Sequence, residues 1–313
     1  MSEDAGPAPG PLPYRGRFAP SPTGPLHLGS LVAAIGSFLD ARHHHGTWLV
    51  RMEDLDQTRE VPGAADAILR TLEAFGLHWD GPVVYQSART SAYAAAIARL
   101  ADLGLIYACG CSRAQIAAQG PLGIEGPVYP GTCRSGLPPG RRPRSLRWRV
   151  PAGTVAFDDR IQGPLTQDVQ REIGDFVLRR ADGIHAYQLA VVVDDAWQGV
   201  TQVVRGADLT TSTPRQILLQ SALGLPTPAY AHLPLVVDAR GRKLSKSEAA
   251  LPLDPTDPLP SVLKALRHLG QPLPPERPAT LAELWQWAVA AWDLARVPPG
   301  TGRSTTGATL SDG

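Results

Sequence analysis

The stretch RFAPSPTGPLHLGSL, residues 17–31, constrains the fold more than any other part of this chain. A short strand leads in and stops at Pro20 and Pro22, because proline cannot donate to a β-ladder. The apolar pattern then changes to helical period from about Leu28, and GSLVAAIGSFLDARHHHG runs as a helix to Gly46. TWLVRMEDLD follows as a buried strand with acidic residues at its C-terminal end. Helices are predicted from Pro62 to Phe75 and from Thr90 to Leu103, each followed by glycine. Strand, helix, strand, helix in this order predicts an α/β fold with a parallel sheet and helical crossovers.

The pattern breaks near Leu105. Residues 110–145 are rich in Gly, Pro and Arg, and short alternating segments such as SLRWRV and GTVAFDD come next, as in an inserted subdomain. The alternation resumes with HAYQLAVVVDDA, read as a strongly apolar strand with Tyr187 just ahead of it, and with VTQVVRGADL. A helix from Pro214 to Leu223, the strand LPLVVDARGRKLS and two helices after Pro258 complete the chain. Residues 1–14 and 298–313 lack periodicity and are expected to be disordered tails.

The turn that opens the first helix suits phosphate. A helix start presents free N–H groups and a positive dipole end, Gly24 and Gly29 permit close backbone approach, and His27 can donate to a phosphate oxygen. A turn with a capping histidine would look the same. A second feature points to the same ligand. Only three of the 30 Lys and Arg residues are lysine, and two of them, Lys243 and Lys246, fall in RGRKLSKSEA at residues 240–249. A compact ammonium on a flexible stem can follow several phosphate oxygens, whereas a guanidinium is a planar fork. The competing reading is an exposed basic turn.

PSPTGPLHLGS resembles the HIGH signature of class I aminoacyl-tRNA synthetases, and KLSKS resembles their KMSKS loop. RFAPSPTGPLHLGSL, RMEDLD, YQLAVVVDD, VVRGADL and YAHLPLV resemble the glutamyl branch, and together they cover most of residues 15–250. The resemblance implies a Rossmann-like doubly wound parallel sheet over residues 15–255. It also implies an inserted zinc-containing subdomain at about 107–185 and a short C-terminal helical stub at 256–297. It implies that L-glutamate is joined to ATP, with Mg2+, as an adenylate, releasing pyrophosphate, and is then transferred to RNA. His27, Gly29, Lys243 and Lys246 would be the catalytic signature residues, with ATP at His27, Gly29 and Lys246.

Glutamate needs acceptors for its ammonium and donors for two carboxylates. Glu53 can meet the ammonium or be an ordinary surface carboxylate. Arg17 and Arg205 can grip carboxylates in a fork, or form structural ion pairs. Tyr187 can offer its hydroxyl or simply pack. The resemblance places glutamate at Arg17, Phe18, Ala19, Pro20, Ser21, Glu53, Tyr187 and Arg205, and leaves open which arginine meets which carboxylate.

The three cysteines, Cys109, Cys111 and Cys133, fall within 25 residues. With no export signal they suggest metal or buried thiols before a disulfide. A closed zinc site needs a fourth ligand, and no histidine occurs between His78 and His185. Chemistry alone leaves Tyr129, Glu125 or water; the resemblance favours Tyr129, as in the zinc site of the short glutamyl-synthetase-like proteins. Six arginines, Arg134, Arg141, Arg142, Arg144, Arg147 and Arg149, flank this clip and are the best candidate for an RNA backbone contact, or else a solvated charged face.

About sixty residues follow Ser247, too few for the helical domain with which a full glutamyl-tRNA synthetase reads the anticodon. The layout resembles the family of short synthetases that esterify glutamate to queuosine in the tRNA(Asp) anticodon, so that anticodon stem-loop is the expected partner. A minimal glutamyl-tRNA synthetase charging a 3′ end, and a non-catalytic RNA-binding paralogue, are the alternatives. A net charge of +1 argues against bulk polyanion binding, and no apolar run is long enough to span a bilayer. A cytoplasmic monomer is the expectation.

Overall fold

The computed structural model describes residues 12–237, 253–276 and 278–304. The leading unit forms as the sequence predicts: β1 (Arg15–Phe18), α1 (Leu28–His43) and β2 (Thr47–Met52), then α2 (Ala64–Ala74), β3 (Val84–Tyr85) and α3 (Thr90–Asp102). β1, β2 and β3 pair in parallel, with Arg17 opposite Leu49 and Arg51 opposite Val84. The insertion contains β4 (Ile106–Cys109), α4 (Arg113–Gln119), the hairpin β5 (Leu122–Gly123) and β6 (Gly126–Pro127), and β7 (Ser145–Trp148). It continues with β8 (Val155–Asp159), β9 (Gly163–Gln167), the single-turn α5 (Val169–Glu172) and β10 (Val177–Arg179). β4, β7 and β10 make a small antiparallel sheet.

The second half adds α6 (Tyr187–Trp197), β11 (Gln202–Gly206), α7 (Thr213–Leu223), β12 (Ala229–Leu233) and β13 (Leu235–Val237). After these come α8 (Leu259–His268), α9 (Leu281–Ala291) and β14 (Gly302–Ser304). β11 pairs in parallel with β12 along five residues, and its approach lies on the free side of β1, where Thr201 N–H donates to Arg15 O at 2.9 Å. β8 joins β12 through Tyr230 and Asp159, so the second half of the insertion widens this sheet rather than standing apart from it.

The core lies around α1. Leu31, Ala34, Ile35, Leu39 and Ala41 are fully buried against the parallel strands on one side and α8 and α9 on the other. Gly36 sets the depth of that packing: a Cβ there would stand 2.6 Å from Leu233 Cδ1. Where α1 ends, His45 takes φ 52°, and the run His43–His45 serves as a helix exit, His44 stacking on Tyr14 at 5.1 Å.

Three expectations need correction. HAYQLAVVVDDA is not a strand. Its β-branched valines favour extended chain, yet Tyr187–Trp197 is helical, with Leu189–Val192, Asp194 and Asp195 buried. Adjacent residues on a helix diverge by about 100°, so Asp194 and Asp195 reach different partners. Asp194 accepts from Gln86, Arg89 and Tyr93, and Asp195 from Arg17 and Arg51. Within the tail expected from Pro298, Gly302–Ser304 forms a strand that pairs in parallel with Leu235–Val237. At the other end Tyr14 is held by its hydroxyl, which donates to the buried Asp40 at 2.5 Å.

Candidate active site

A cleft of about 700 Å3 opens over the end of β1 and the start of α1. Phe18, Pro20, Ser21, His27 and Gly29 line it, with Gly206 and Asp208 beyond β11 and Leu235 and Val236 of β13 opposite. Its volume is that of an ordinary small-molecule site. His27 is the N-cap of α1: its Nδ1 accepts from Ser30 N–H at 3.2 Å, and Ser30 Oγ accepts from His27 N–H at 2.8 Å. An accepting Nδ1 puts the ring proton on Nε2. Capping and lining the cleft are therefore compatible duties of one histidine. A Cβ at Gly29 would stand 3.1 Å from that ring, tighter than most contacts allow. Lys243 and Lys246 lie outside the described residues.

Beside this cleft the strand ends hold a buried group of charges. Arg17 on β1 is 3% exposed and donates from Nε and Nη2 to the two Asp195 oxygens, at 3.2 and 3.5 Å. Arg51 on β2 donates to Asp195 Oδ1 and to Gln198 Oε1, both at 2.7 Å, and its Nη2 stands 3.5 Å from Glu53 Oε1. Burial works against charge on Asp195, but the two guanidiniums outweigh it and hold the carboxyl below its ordinary range. Glu53 goes the other way: burial pushes its carboxyl up, and Arg51 and Arg17 offset this only in part. Glu53 Oε1 is buried with no hydrogen-bond partner. Its backbone N–H donates to Pro20 O at 2.9 Å, which ties the end of β2 to the phosphate-type turn.

Tyr187, the first residue of α6, has its phenol pushed up by burial and lies within electrostatic reach of Arg205, Glu53, Arg17 and Asp195. Arg205 on β11 is 5% exposed; its Nε donates to His232 Nε2 at 3.1 Å and its Nη2 to Thr213 Oγ1 at 2.8 Å. Its third nitrogen, Nη1, is buried without a hydrogen-bond partner. The structure thus gathers Arg17, Glu53, Tyr187 and Arg205, distant in sequence, into one buried charge group beside Phe18–Ser21. Ala19, half-buried, lies within that turn.

The supports were not foreseen from the sequence. Arg51, Asp195, Asp159 and His232 are all buried in or behind the pocket, and Asp208 lines the cleft. The consecutive aspartates inside an apolar run were the available signal, since buried carboxylates need cationic partners.

In the insertion, Cys109, Cys111 and Cys133 bring their sulfurs within 4.8 Å of one another. Cys111 Sγ lies 3.7 Å from Cys133 Sγ, and the Tyr129 hydroxyl lies 3.4 Å from Cys109 Sγ and 3.8 Å from Cys111 Sγ. Sulfurs on a tetrahedral zinc, with Zn–S near 2.3 Å, stand ~3.8 Å apart, so these donors fit the ion. Burial raises the Cys109 thiol, but hydrogen bonds from Tyr129, the Cys111 N–H and Arg147 outweigh it and bring it to about 7. Arg147 also lies over the Tyr129 ring at 4.0 Å. Glu125 is not a candidate ligand here; it accepts from Arg215 and Thr211 at 2.5 and 2.6 Å instead.

The six-arginine patch shrinks. Arg134, Arg141, Arg147 and Arg149 donate to Val150 O, Cys111 Sγ, Asp175 O and Arg134 O respectively, which leaves Arg142 and Arg144 exposed. Among the described residues no helix is long and apolar enough to cross a membrane.

A helix start open to the cleft offers donors to an anionic ligand, and the buried charges beside it offer partners to a zwitterion. The family model for tRNA synthetases class I (E and Q), catalytic domain, matches residues 14–257, and the chain belongs to that family. Within it, the chain is 59% identical over 287 residues to the Glutamyl-Q tRNA(Asp) synthetase of Chromobacterium violaceum, covering 92% of this chain and 96% of that one. It is 58% identical over 289 residues to the protein of the same name from Dechloromonas aromatica, at 91% and 96% coverage. Among solved structures, the glutamate tRNA ligase of Elizabethkingia meningosepticum, in complex with its amino acid, is similar at TM-score 0.77 and 26% identity. The match covers 94% of this chain and 67% of that one.

Proposed function

We infer that the protein activates L-glutamate with ATP and transfers the glutamyl group to queuosine in the anticodon of tRNA(Asp). The identity of 58–59% over nine-tenths of the chain with proteins named for that reaction supports the reading. The observation that carries the chemistry is Arg205 Nη1, buried without a hydrogen-bond partner, in the same charge group as Glu53, whose Oε1 has no hydrogen bond and only the longer 3.5 Å ion pair with Arg51. An apolar substrate would leave both without a hydrogen bond. A zwitterion with an extra carboxylate satisfies both.

In this assignment Glu53 receives the substrate ammonium, Arg205 grips a carboxylate through Nη1, and Tyr187 adds its hydroxyl. Arg17 is already bound through two of its nitrogens to Asp195 and offers the third. The turn from Phe18 through Ala19 and Pro20 to Ser21 forms the wall between amino acid and nucleotide. ATP, with Mg2+, lies along His27 and Gly29 with its phosphates at the start of α1, where N–H groups and helix dipole stabilise negative charge. A glutamate carboxylate oxygen attacks the α-phosphorus and pyrophosphate leaves, with Lys243 and Lys246 neutralising the departing charge. A queuosine hydroxyl then attacks the activated carbonyl carbon and AMP leaves.

Cys109, Cys111, Tyr129 and Cys133 hold one zinc ion as a structural clip. When bound, it supplies cross-linking to a subdomain with little apolar core and no chemistry to the reaction. Arg142 and Arg144 remain for the RNA backbone, and the enzyme works in the cytoplasm, where its tRNA is.

The test is to incubate protein, ATP and radiolabelled glutamate with tRNA containing or lacking queuosine. Label on tRNA(Asp) only when queuosine is present is the expected result. Label on a 3′ end regardless of queuosine would instead identify a minimal glutamyl-tRNA synthetase.

A further inference from the structure

Behind Arg205 lies a second buried pair that the reaction chemistry does not use. His232 on β12 and Asp159 at the end of β8 are 0% and 4% exposed. Asp159 Oδ2 lies 2.6 Å from His232 Nδ1, and Arg205 Nε donates to His232 Nε2 at 3.1 Å. These partners fix the ring. A carboxylate only accepts, so Nδ1 carries the proton; a guanidinium only donates, so Nε2 must offer a lone pair. Asp159 cannot turn away, because its Oδ1 accepts the N–H groups of Ile161, Gln162 and His232 at 3.0, 2.9 and 3.1 Å. Thr213 Oγ1 closes the arrangement, 3.2 Å from His232 Nε2 and 2.8 Å from Arg205 Nη2. Two of the three guanidinium nitrogens are thereby held, and Nη1 alone is left to the pocket.

We propose that His232, fixed by Asp159 as its Nδ1–H tautomer, is a positioning residue that aims Arg205 Nη1 at a substrate carboxylate. This rests on glutamate being the substrate of the pocket. Neutrality of the imidazole is part of the design. A protonated His232 would lose its lone pair and set a second cation against Arg205. The groups facing the ring are Asp159 from β8, Arg205 from β11, Arg17 from β1, Thr213 from α7 and Tyr230 stacked beside it on β12 at 6.2 Å. Burial lowers the imidazole from its ordinary value, and Arg205 and Arg17 add to this against the opposing pull of Asp159. Glutamate affinity is therefore full at neutral pH and falls only as acid protonates the ring below the ordinary histidine range.

The experiment measures glutamate-dependent ATP–pyrophosphate exchange, with KM for glutamate and for ATP determined separately from pH 5 to 8. His232→Leu removes the acceptor and is expected to raise the glutamate KM roughly tenfold to a hundredfold, the cost of one hydrogen bond to a charged group. The KM for ATP should change far less. His232→Gln, whose amide oxygen can sit near the Nε2 position, is expected to recover most of the loss and to abolish the acid decline. Asp159→Asn should act like the leucine variant, because its amide N–H faces Nδ1 and drives the proton to Nε2, against Arg205. If His232→Leu does not fold, the other two variants decide by the same criteria. An unchanged glutamate KM in Asp159→Asn with a normal melting temperature would overturn the proposal, as would equal rises in both KM values. Wild-type protein without any glutamate-dependent exchange would instead sink the assignment of the substrate, and the positioning role with it.

Discussion

The charge pocket beside the cleft and the thiol cluster of the insertion both bury polar groups, but they are held in place in opposite ways. In the pocket, Arg17 and Arg51 share Asp195, with Glu53 and Asp194 also facing Arg51, inside a sheet whose flanks are filled by α1 and its apolar neighbours. The apolar packing would exist without the charges, and the charges are arranged by it. In the insertion the buried cluster is only Cys109, Tyr129 and Cys133, with Tyr107, Cys111, Ile116 and Leu137 around it. There the polar groups themselves are the core. Removing polar partners should therefore damage chemistry and stability together in the first region, and local folding alone in the second.

The largest expected effect tests the second half of that contrast. Metal affinity in small cysteine sites amounts to about 10–16 kcal/mol of folding free energy at neutral pH. Chelation, or Cys133→Ser, should expose residues 110–144 to protease while glutamate-dependent exchange persists. Loss of exchange in step with loss of zinc would show that the two regions are not separable.

Next comes Asp195→Ala. It leaves Arg17 and Arg51 buried without their shared carboxylate, which costs about 3–5 kcal/mol. Denaturant melts should show the loss across the whole catalytic sheet. The pH dependence has a definite sign. The folded carboxyl of Asp195 is depressed below its ordinary value, so its stabilisation is present above the unfolded value, about 4. It disappears as pH falls through the depressed folded value. Wild type should therefore lose stability steeply below about pH 4, and Asp195→Asn should flatten that limb.

The smallest effect belongs to the contact that joins the regions. Glu125, on the tip of the β5–β6 hairpin, pairs with Arg215 and Thr211 beside the pocket, and it is 40% exposed. A partly exposed pair contributes up to about 1 kcal/mol. Glu125→Gln should shift the melting temperature by no more than a few degrees and leave zinc content unchanged.

Much of this was legible in the sequence where the signal is local. The proline-broken strand, the His27 turn and the glycine-terminated helix specify β1–α1–β2 because each boundary is set by its own neighbours. Glu53 could be placed at a strand end for the same reason, and the cysteine spacing marked the thiol cluster. What was not legible depends on partners far along the chain. Arg17 and Asp195 are 178 residues apart, Arg51 and Asp195 are 144 apart, and Asp159 and His232 are 73 apart. Valine-rich Tyr187–Trp197 read as a strand because local propensity cannot report the distant partners, among them Arg17, Arg51, Gln86 and Tyr93, that Asp194 and Asp195 meet from a helix. Arg134, Arg141, Arg147 and Arg149 read as an RNA surface because composition does not reveal which guanidiniums the fold has already engaged.

The central claim is that one pocket reads glutamate through Arg205 and Glu53 while the start of α1 receives the nucleotide. The most direct measurement is a crystal structure with a non-hydrolysable glutamyl-adenylate analogue. The account predicts the ammonium on Glu53, a carboxylate on Arg205 Nη1 with His232 still behind it, and the nucleotide along His27 and Gly29. An analogue bound with its glutamyl end elsewhere, and Arg205 Nη1 still unpaired, would contradict it.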